Sequence, residues 1–409
     1  MQVYLVGGAV RDAALGLPVR ERDWCVTGTT PQAMLDRNFR PVGKDFPVFL
    51  HPDTGEEYAL ARTERKTAAG YHGFAFNTSP DVTIEDDLER RDLTVNAMAK
   101  DETDRLVDPY GGMRDLDNRV LRHVSAAFVE DPVRILRVAK FAARFHSLGF
   151  TIADETLALM RQMVENGEAD ALVPDRVWRE TETALGATHC RVFFETLRAC
   201  GALKLIFPEI DALFGVPQRK DYHPEVDSGL HTMMVLEQAE RLSPETDVRF
   251  AALVHDLGKA TTRPDDLPSH PGHEGRGRKL VSRMAERLPL PKSHRELGAV
   301  VAEYHLHCHR AFELKPATVL SVIEACDGFR RPERFEKFLV CCEADAHGRT
   351  GFESRDYPQA SYLRDAFSAA NGIDAGRIAS DHQGRDIAVA IRKARVSAIK
   401  AVKLAQTSK

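Results

Sequence analysis

The sequence has no apolar run near the roughly 20 residues that a membrane-crossing helix needs, so a membrane-spanning protein is not expected. Its first stretch, MQVYLVGGAVRD, lacks a basic segment followed by a long apolar one, which argues against export. C-x-x-C pairs are missing as well. The seven cysteines (Cys25, Cys190, Cys200, Cys308, Cys326, Cys341, Cys342) are scattered and odd in number, which fits reduced thiols in a cytoplasm better than a disulfide framework or a structural zinc site. Positive charge is not in excess: 56 Lys and Arg against 61 Asp and Glu leave −5 at pH 7. A generic polyanion coat is therefore not expected, although local basic stripes can still meet nucleic acid. Neither an internal repeat nor a low-complexity tract interrupts the 409 residues, a length that suits about two to four compact units.

What is present changes character along the chain. VYLV (3–6) reads as a strand, GG as a turn and AVRDAALG as a short helix stopped by Gly16. DWCVTG and EEYALAR are the next strand candidates, and LTVNAMA is either a strand or the opening of a helix. This predicts an α/β head. From DPYGGMRDLDNRVLRHV onward the spacing of Leu, Ala, Arg and Glu is helical, punctuated by turn clusters at 215–229 and 263–277.

In LVGGAVRD, Gly7 and Gly8 would let the backbone approach a ligand closely. The following helix start favours phosphate oxygens, and Arg11 lies one turn in; the same pattern is also plain turn chemistry. RERDWCV (20–26) reads as a short strand. Alternation then places Glu21 and Asp23 on one face and Arg22 on the other. Two carboxylates on one face are either a solvated edge or, with a cation between them, half of a metal site. Magnesium, held by one or two carboxylates plus substrate phosphates, leads when the pair follows a Gly-Gly turn. In EDDLERRDLTVNAMA, one of Arg90 and Arg91 is expected to turn inward from an otherwise solvated run that also holds Asp92 and Asn96. In EDPVRILRVAKFAARF, Asp131 stands where an N-cap belongs and Pro132 where the first helical residue belongs. Arg134, Arg137, Lys140 and Arg144 fall within an arc of about 120° on that helix.

These motifs (GGAVRD, RDW, RRDLTVNAMA, DPYGGMRDL and EDPVRILRVAKFAAR), in this order, resemble the class II CCA-adding tRNA nucleotidyltransferases. The resemblance covers nearly the whole chain and weakens over the last fifty or sixty residues. It implies a polymerase β-like α/β head at 1–115 and a nucleobase-recognising neck at 116–150. A helical body at 151–225 and a helical tail at 349–409 complete the mainly α-helical remainder around the later His-rich region. It implies that Gly8 and Arg11 contact the nucleotide, that Glu21 and Asp23 hold Mg2+, and that Arg91, Arg137 and Lys140 contact ATP or CTP. Asp131 and Arg134 would pair with the edge of the incoming base, replacing a nucleic acid template. Residues 65–76 match the loop that switches from CTP to ATP, and Glu57 is a weaker candidate for a third acid. The family pattern has Asp at position 21 and Arg at 140; Lys140 keeps the charge but loses the planar fork. The tRNA acceptor arm is the expected partner, met by phosphate and 2′-hydroxyl contacts. Arg176 and Arg179 either take part or form a solvated face. A monomer or homodimer in the cytoplasm is expected.

The segment 226–348 is rich in histidine. His-Asp followed by Gly (His255, Asp256), with further His and Asp along helices, suggests ligands converging in a bundle core. The order resembles an HD-domain phosphohydrolase, which implies that His231, His255, Asp256, His305 and Asp345, with His273 the least secure, hold Ni2+ or Mg2+. Such a site would cleave phosphoesters as a 2′,3′-cyclic phosphodiesterase, 2′-nucleotidase or phosphatase, cleaning RNA ends before addition. Two other readings remain: a poly(A) polymerase sharing the head motifs, and a tRNA-binding module with an inactive head.

Overall fold

The computed structural model describes residues 1–42, 48–66 and 74–407. The chain divides into two compact units, Met1–Ala184 with Val192–Leu205, and Leu185–Arg191 with Ile206–Lys409.

The described residues of the first unit hold eleven strands: β1 Gln2–Val6, β2 Asp23–Thr27, β3 Arg40–Val42, β4 Val48–Leu50, β5 Glu57–Leu60, β6 Thr63–Lys66, β7 Phe74–Asn77, β8 Ala99–Lys100, β9 Leu106–Val107, and β10 Val120–Leu121 and β11 Thr151–Ile152, which pair with each other in parallel. Seven form one sheet in the order β3-β4-β5-β2-β1-β8-β9, in which β2 and β5 run parallel and the other pairs antiparallel. β6 and β7 make a separate hairpin. Its tip, residues 67–73 of the expected CTP-to-ATP loop, lies outside the described residues. Strand alternation sorts the central strand onto two cores. Cys25 packs with Val6, Leu88 and Ala97 on one face, and Val26 with Met34, Phe49 and Leu60 on the other.

The strand expected over 20–26 starts only at Asp23, so alternation does not place Glu21. The reason is the lack of neighbours: β1 ends at Val6 opposite Asp23, and β5 begins at Glu57 opposite the same residue. Nothing flanks Arg22 or Glu21 to continue the ladder. LTVNAMA becomes a tight turn, Thr94–Asn96, followed by β8. The helix expected from Pro132 runs Val133–Phe145. Asp131 is extended (φ −117°) and its Oδ1 accepts from the Val133 N–H at 3.1 Å, while Pro132 is already in the helical region (φ −62°, ψ −17°), so Asp131 caps the helix that Pro132 opens. The helices Asp154–Glu165, Pro174–Leu185 and Arg191–Ala199 follow.

The second unit is helical. Ser228–Leu242, Thr246–Val254, His273–Arg287, Lys292–His309 and Pro332–His347 carry the histidines and acids. Its core joins Val248, Leu297, Val301, Ile323 and Phe338 to Tyr362, Leu363 and Ile399, so the tail helices Pro358–Asn371 and Arg385–Thr407 close the same core. The turn cluster expected over 263–277 ends early, because the helix begins at His273. Gly258 allows this, with Gly277 packed beside it. A Cβ on Gly258 would lie 1.9 Å from the His273 carbonyl oxygen, and one on Gly277 would lie 3.4 Å from the Gly258 nitrogen. The backbone after His255-Asp256 thus abuts the helix that carries His273. Among the described residues, no helix is long and apolar enough to cross a membrane.

Candidate active sites

In the head, Gly7 adopts φ +65° where β1 turns into the helix Gly8–Ala14, and a Cβ there would come 2.6 Å from Arg91 Nη1. The positive φ is what favours glycine there. Beside it Asp23 and Glu57 are register partners on parallel strands, so two hard oxygen donors stand side by side, a set that suits magnesium. Partial burial raises the Asp23 pKa; Arg91 pulls it down and Glu21 pushes it up, which places both in its field. Glu21 itself lies in the coil before β2.

Behind the acids lies a closed polar network. Arg11, 3 % exposed, donates to Asp12 Oδ1 at 2.8 Å and to Asn96 Oδ1, and its guanidinium stacks 5.0 Å from both Phe141 and Phe145. Asn96 donates to Asp92 Oδ1 at 2.9 Å, and Arg137 Nε donates to Asp92 Oδ2 at 2.6 Å. Burial would lift the Asp92 pKa, but Arg137 and the Asn96 amide hold it well below the usual carboxylate range. Arg144 closes the other end on Asp12 Oδ2 at 2.7 Å. Asp87, buried, pairs with Arg90 (2.7 Å) and Arg91 (3.1 Å), and Arg91 Nε is buried with no hydrogen-bond partner among the described residues.

The structure thus gathers Arg11, Arg137 and Arg91 around the Gly7 turn and its supporting acids. Gly8 sits beside them, its would-be Cβ 3.5 Å from Arg11 Nη2. Asp131 and Arg134 are engaged elsewhere. Arg134 donates to the carbonyls of Ala127 (2.8 Å) and Arg90 (2.5 Å), while Asp131 takes a two-pronged bond from Arg176 at 3.0 and 2.7 Å. Arg176 is therefore neither a plain solvated residue nor a free cation. Lys140 pairs with Glu180 at 2.5 Å.

The second unit holds a denser centre. His255, His273 and His305 each donate from Nδ1 to a backbone carbonyl, of Ala252 (2.7 Å), His270 (2.8 Å) and Val301 (3.0 Å). That fixes the tautomer and turns each Nε2 lone pair inward. His273 and His305 present Nε2 at 3.4 and 3.5 Å from Asp256 Oδ1, and His255 presents it 3.1 Å from Asp256 Oδ2. His231 Nε2 lies 3.1 Å from Asp345 Oδ1, with its Nδ1 at 3.0 Å from both the Gly348 carbonyl and Glu225. Among the described residues, His255 Nε2, His273 Nε2 and Asp256 Oδ1 are buried without a hydrogen-bond partner. Orphaned atoms of this kind are costly unless a ligand takes them up. Two groups, His231 with His255 and Asp345, and Asp256 with His273 and His305, each bring three ligand atoms within 4.8 Å of one another. The donor set fits a divalent metal. Burial opposes charge on His255, but Asp256 and Asp345 raise its pKa. His305 is pushed by burial down to about 4, so it stays neutral and able to ligate at neutral pH.

All of the expected ligands His231, His255, Asp256, His273, His305 and Asp345 meet here. Four neighbours escaped the sequence reading. Lys259 binds Asp256 Oδ2 and Gln218 Oε1, both at 2.5 Å; Glu225 holds His231; Arg349 approaches Asp345; and His309 Nε2 donates to Asp345 Oδ2 at 2.6 Å while its Nδ1 meets the Tyr357 hydroxyl at 2.8 Å. For Lys259 and His309 the signal was present, three residues after Asp256 and four after His305 on one helical face. Arg349 likewise stands four residues after Asp345, whereas no local signal marks Glu225.

Comparison with known proteins gives three family matches: the poly A polymerase head domain at residues 3–122, the probable RNA and SrmB-binding site of polymerase A at 149–214, and the HD domain at 229–332. The multifunctional CCA protein of Thioalkalivibrio sulfidiphilus is 60% identical over 404 residues, covering 98% of this chain and 99% of that protein. That of Teredinibacter turnerae is 57% identical over 408 residues, covering 100% and 99%. Among solved structures, the Thermotoga maritima CCA-adding enzyme complexed with tRNA superposes with a TM-score of 0.63 at 20% identity, covering 99% of this chain and 91% of that one. A CCA-adding enzyme with CTP gives 0.65 at 22% identity, covering 97% and 87%. These superpositions show a shared fold.

Proposed function

The chain belongs to the family of multifunctional CCA proteins, and on that premise we propose that its two units carry two separate metal-dependent chemistries on the tRNA 3′ end. The head adds CCA from CTP and ATP, and the HD centre hydrolyses phosphoesters at RNA ends. The observation that carries this reading is the contrast between the donor sets: Asp23 and Glu57 in register on the sheet, against buried imidazoles and carboxylates in the helical unit.

In the head, Asp23, Glu21 and Glu57 would hold Mg2+, which supplies charge neutralisation and alignment of the reacting oxygens. Arg91, with its spare buried Nε, is placed to take triphosphate oxygens beside the Gly7–Gly8 turn. Arg11 acts from behind: locked between two phenylalanines and tied to Asp12 and Asn96, it holds the turn in shape. Arg137 and Lys140 add positive potential from the next helix, and Asp131 and Arg134 would read the incoming base after exchanging their present partners. The RNA 3′-hydroxyl then attacks the α-phosphorus and pyrophosphate leaves, with positioning doing most of the catalysis.

In the second unit, His231, His255, Asp256, His273, His305 and Asp345 would hold Ni2+ or Mg2+, and the ion would supply Lewis acidity toward the phosphoryl oxygen and toward water. The chain's own part is to hold the ring tautomers through the carbonyls of Ala252, His270 and Val301. It also keeps Asp256 and Asp345 ionised, and brings Lys259 to the reacting group. A cytoplasmic location follows from a tRNA substrate and fits seven free, buried thiols.

The test offers tRNA ending at the discriminator base to the protein with each nucleotide in turn. Two C from CTP and then one A from ATP is expected; ATP incorporated alone and repeatedly would make the head a poly(A) polymerase.

A further inference from the structure

Arg349 stands one residue beyond a tightly held turn. The Gly348 N–H donates to the Ala344 carbonyl at 2.8 Å, and the Gly348 carbonyl accepts from His231 Nδ1 at 3.0 Å. A Cβ at Gly348 would lie 2.5 Å from Val235 Cγ2 and 2.7 Å from Val235 Cα, so the turn is pressed onto the helix that carries His231. From it the Arg349 side chain, 20% exposed, reaches the HD centre, with Nη2 3.4 Å from Asp345 Oδ1 and Nε buried with no hydrogen-bond partner among the described residues.

That contact is a poor counter-ion bond. A charge-assisted hydrogen bond closes to about 2.7–2.9 Å and uses both prongs of the guanidinium where it can. Elsewhere in this protein arginines do so: Arg176 holds Asp131 at 3.0 and 2.7 Å, and Arg364 holds Glu336 through Nε at 3.0 Å and Nη2 at 2.5 Å. Asp345 already has a close partner at its other oxygen, since His309 Nε2 donates to Oδ2 at 2.6 Å. The free Nε and the loosely held Nη2 form the side-on edge of the guanidinium, the edge whose two parallel N–H groups match two oxygens of one phosphoryl group. At the other carboxylate, Lys259 contributes a second cation, a point charge already tied to Asp256 and Gln218.

We infer that Arg349 is the substrate-binding residue that grips the phosphoryl group at the HD centre, exchanging its loose contact with Asp345 for two phosphoryl oxygens. The inference rests on the phosphohydrolase reading of that centre. The two-pronged grip suits any phosphoryl group with at least two unesterified oxygens, three on a phosphomonoester and two on a cyclic phosphate.

The test compares full-length wild type with Arg349→Met and Arg349→Lys. Mn2+ is titrated by calorimetry, inorganic phosphate is titrated into the Mn2+-loaded protein, and hydrolysis of adenosine 2′-monophosphate is resolved into kcat and KM. In Arg349→Met the phosphate Kd and the KM are expected to rise about tenfold or more, the loss of a two-pronged charged contact, while the Mn2+ Kd stays within about threefold. Arg349→Lys recovers part of the loss, because the charge returns without the fork. Unchanged phosphate binding in both variants overturns the inference. So does a fall in Mn2+ affinity in step with phosphate, which would make Arg349 a clamp on Asp345. A wild type that binds phosphate through Arg349 yet hydrolyses no phosphoester would sink the phosphohydrolase reading and leave the Arg349 assignment standing. Hydrolysis with an unaltered KM in Arg349→Met would do the reverse.

Discussion

The two centres are finished to different degrees by the protein alone. In the head, the charged groups behind the Gly7 turn satisfy one another: Arg11 with Asp12 and Asn96, Asp92 with Asn96 and Arg137, Asp12 with Arg144. In the HD centre, His255 Nε2, His273 Nε2 and Asp256 Oδ1 are buried and have no hydrogen-bond partner among the described residues. The difference follows from the task each would perform. The head must receive a succession of nucleotides on a surface that keeps its shape, so its scaffold is closed and its acids stand where the central strands β2 and β5 begin. The HD centre would be built around a resident ion, with those unpaired atoms as its coordination sites. Arginine–carboxylate pairs stiffen the first; histidines held from behind by carbonyls preorganise the second.

Breaking the head's closed network has the largest expected effect. Asp92→Ala leaves the Arg137 and Asn96 donors without their acceptor, and loss of one partner of such a buried pair costs about 3 kcal/mol of stability. The head transition should shift to lower temperature, read by tryptophan fluorescence, because Trp24 and Trp178 both lie in the first unit. Hydrolysis at the HD centre, assayed below that transition, is expected to stay at the wild-type level.

Acid separates the two regions next. Burial pushes His223, His270 and His305 down to about 4, so between the unfolded value of 6.5 and pH 4 the unfolded chain binds protons that the folded unit does not. Their contribution is full above pH 6.5 and is lost as the pH falls toward 4; His255, raised by Asp256 and Asp345, acts in the opposite sense, one against three. The head's Asp87 and Asp92 are depressed below 3.8, so their contribution persists until the pH drops under that value. For chelator-treated protein taken from pH 7 to pH 5, the circular dichroism midpoint of the helical unit should fall further than the tryptophan midpoint. Equal shifts would show that the histidines are not buried neutral.

The smallest effect sharpens the comparison at the head's acids. Glu21 lies outside the sheet and its place is not dictated by a strand neighbour, so Glu21→Asp is expected to maintain or raise the rate of nucleotide addition, within about threefold, as the ligand oxygen moves by one methylene. A steep fall in single-turnover addition would mean that the pocket has been rebuilt around Glu.

Much of this was legible locally. The Gly7–Gly8 turn, the strand holding Asp23 and the His255–Asp256 pair followed by glycine are short patterns whose chemistry lies within a few residues. The extent of β2 was not, because it depends on where β1 stops and β5 starts, a property of strands that meet only after folding. The Asp131–Arg176 bond spans 45 residues, Lys259 to Gln218 spans 41, and His309 to Tyr357 spans 48; such pairings leave no trace in spacing. The tail carried no motif, and its role in the second core emerges only where Tyr362, Leu363 and Ile399 fill the space beside Phe338 and Ile323.

The central claim is that the two chemistries run on separate residues. It is tested most directly by measuring CCA addition to tRNA lacking CCA and phosphoester hydrolysis on the same preparations of wild type, Asp23→Ala and His255→Ala. Asp23→Ala is expected to lose addition by about a thousandfold or more while keeping hydrolysis, and His255→Ala to lose hydrolysis to a similar degree while keeping addition. Loss of both activities in either variant, with the fold intact, would contradict the account.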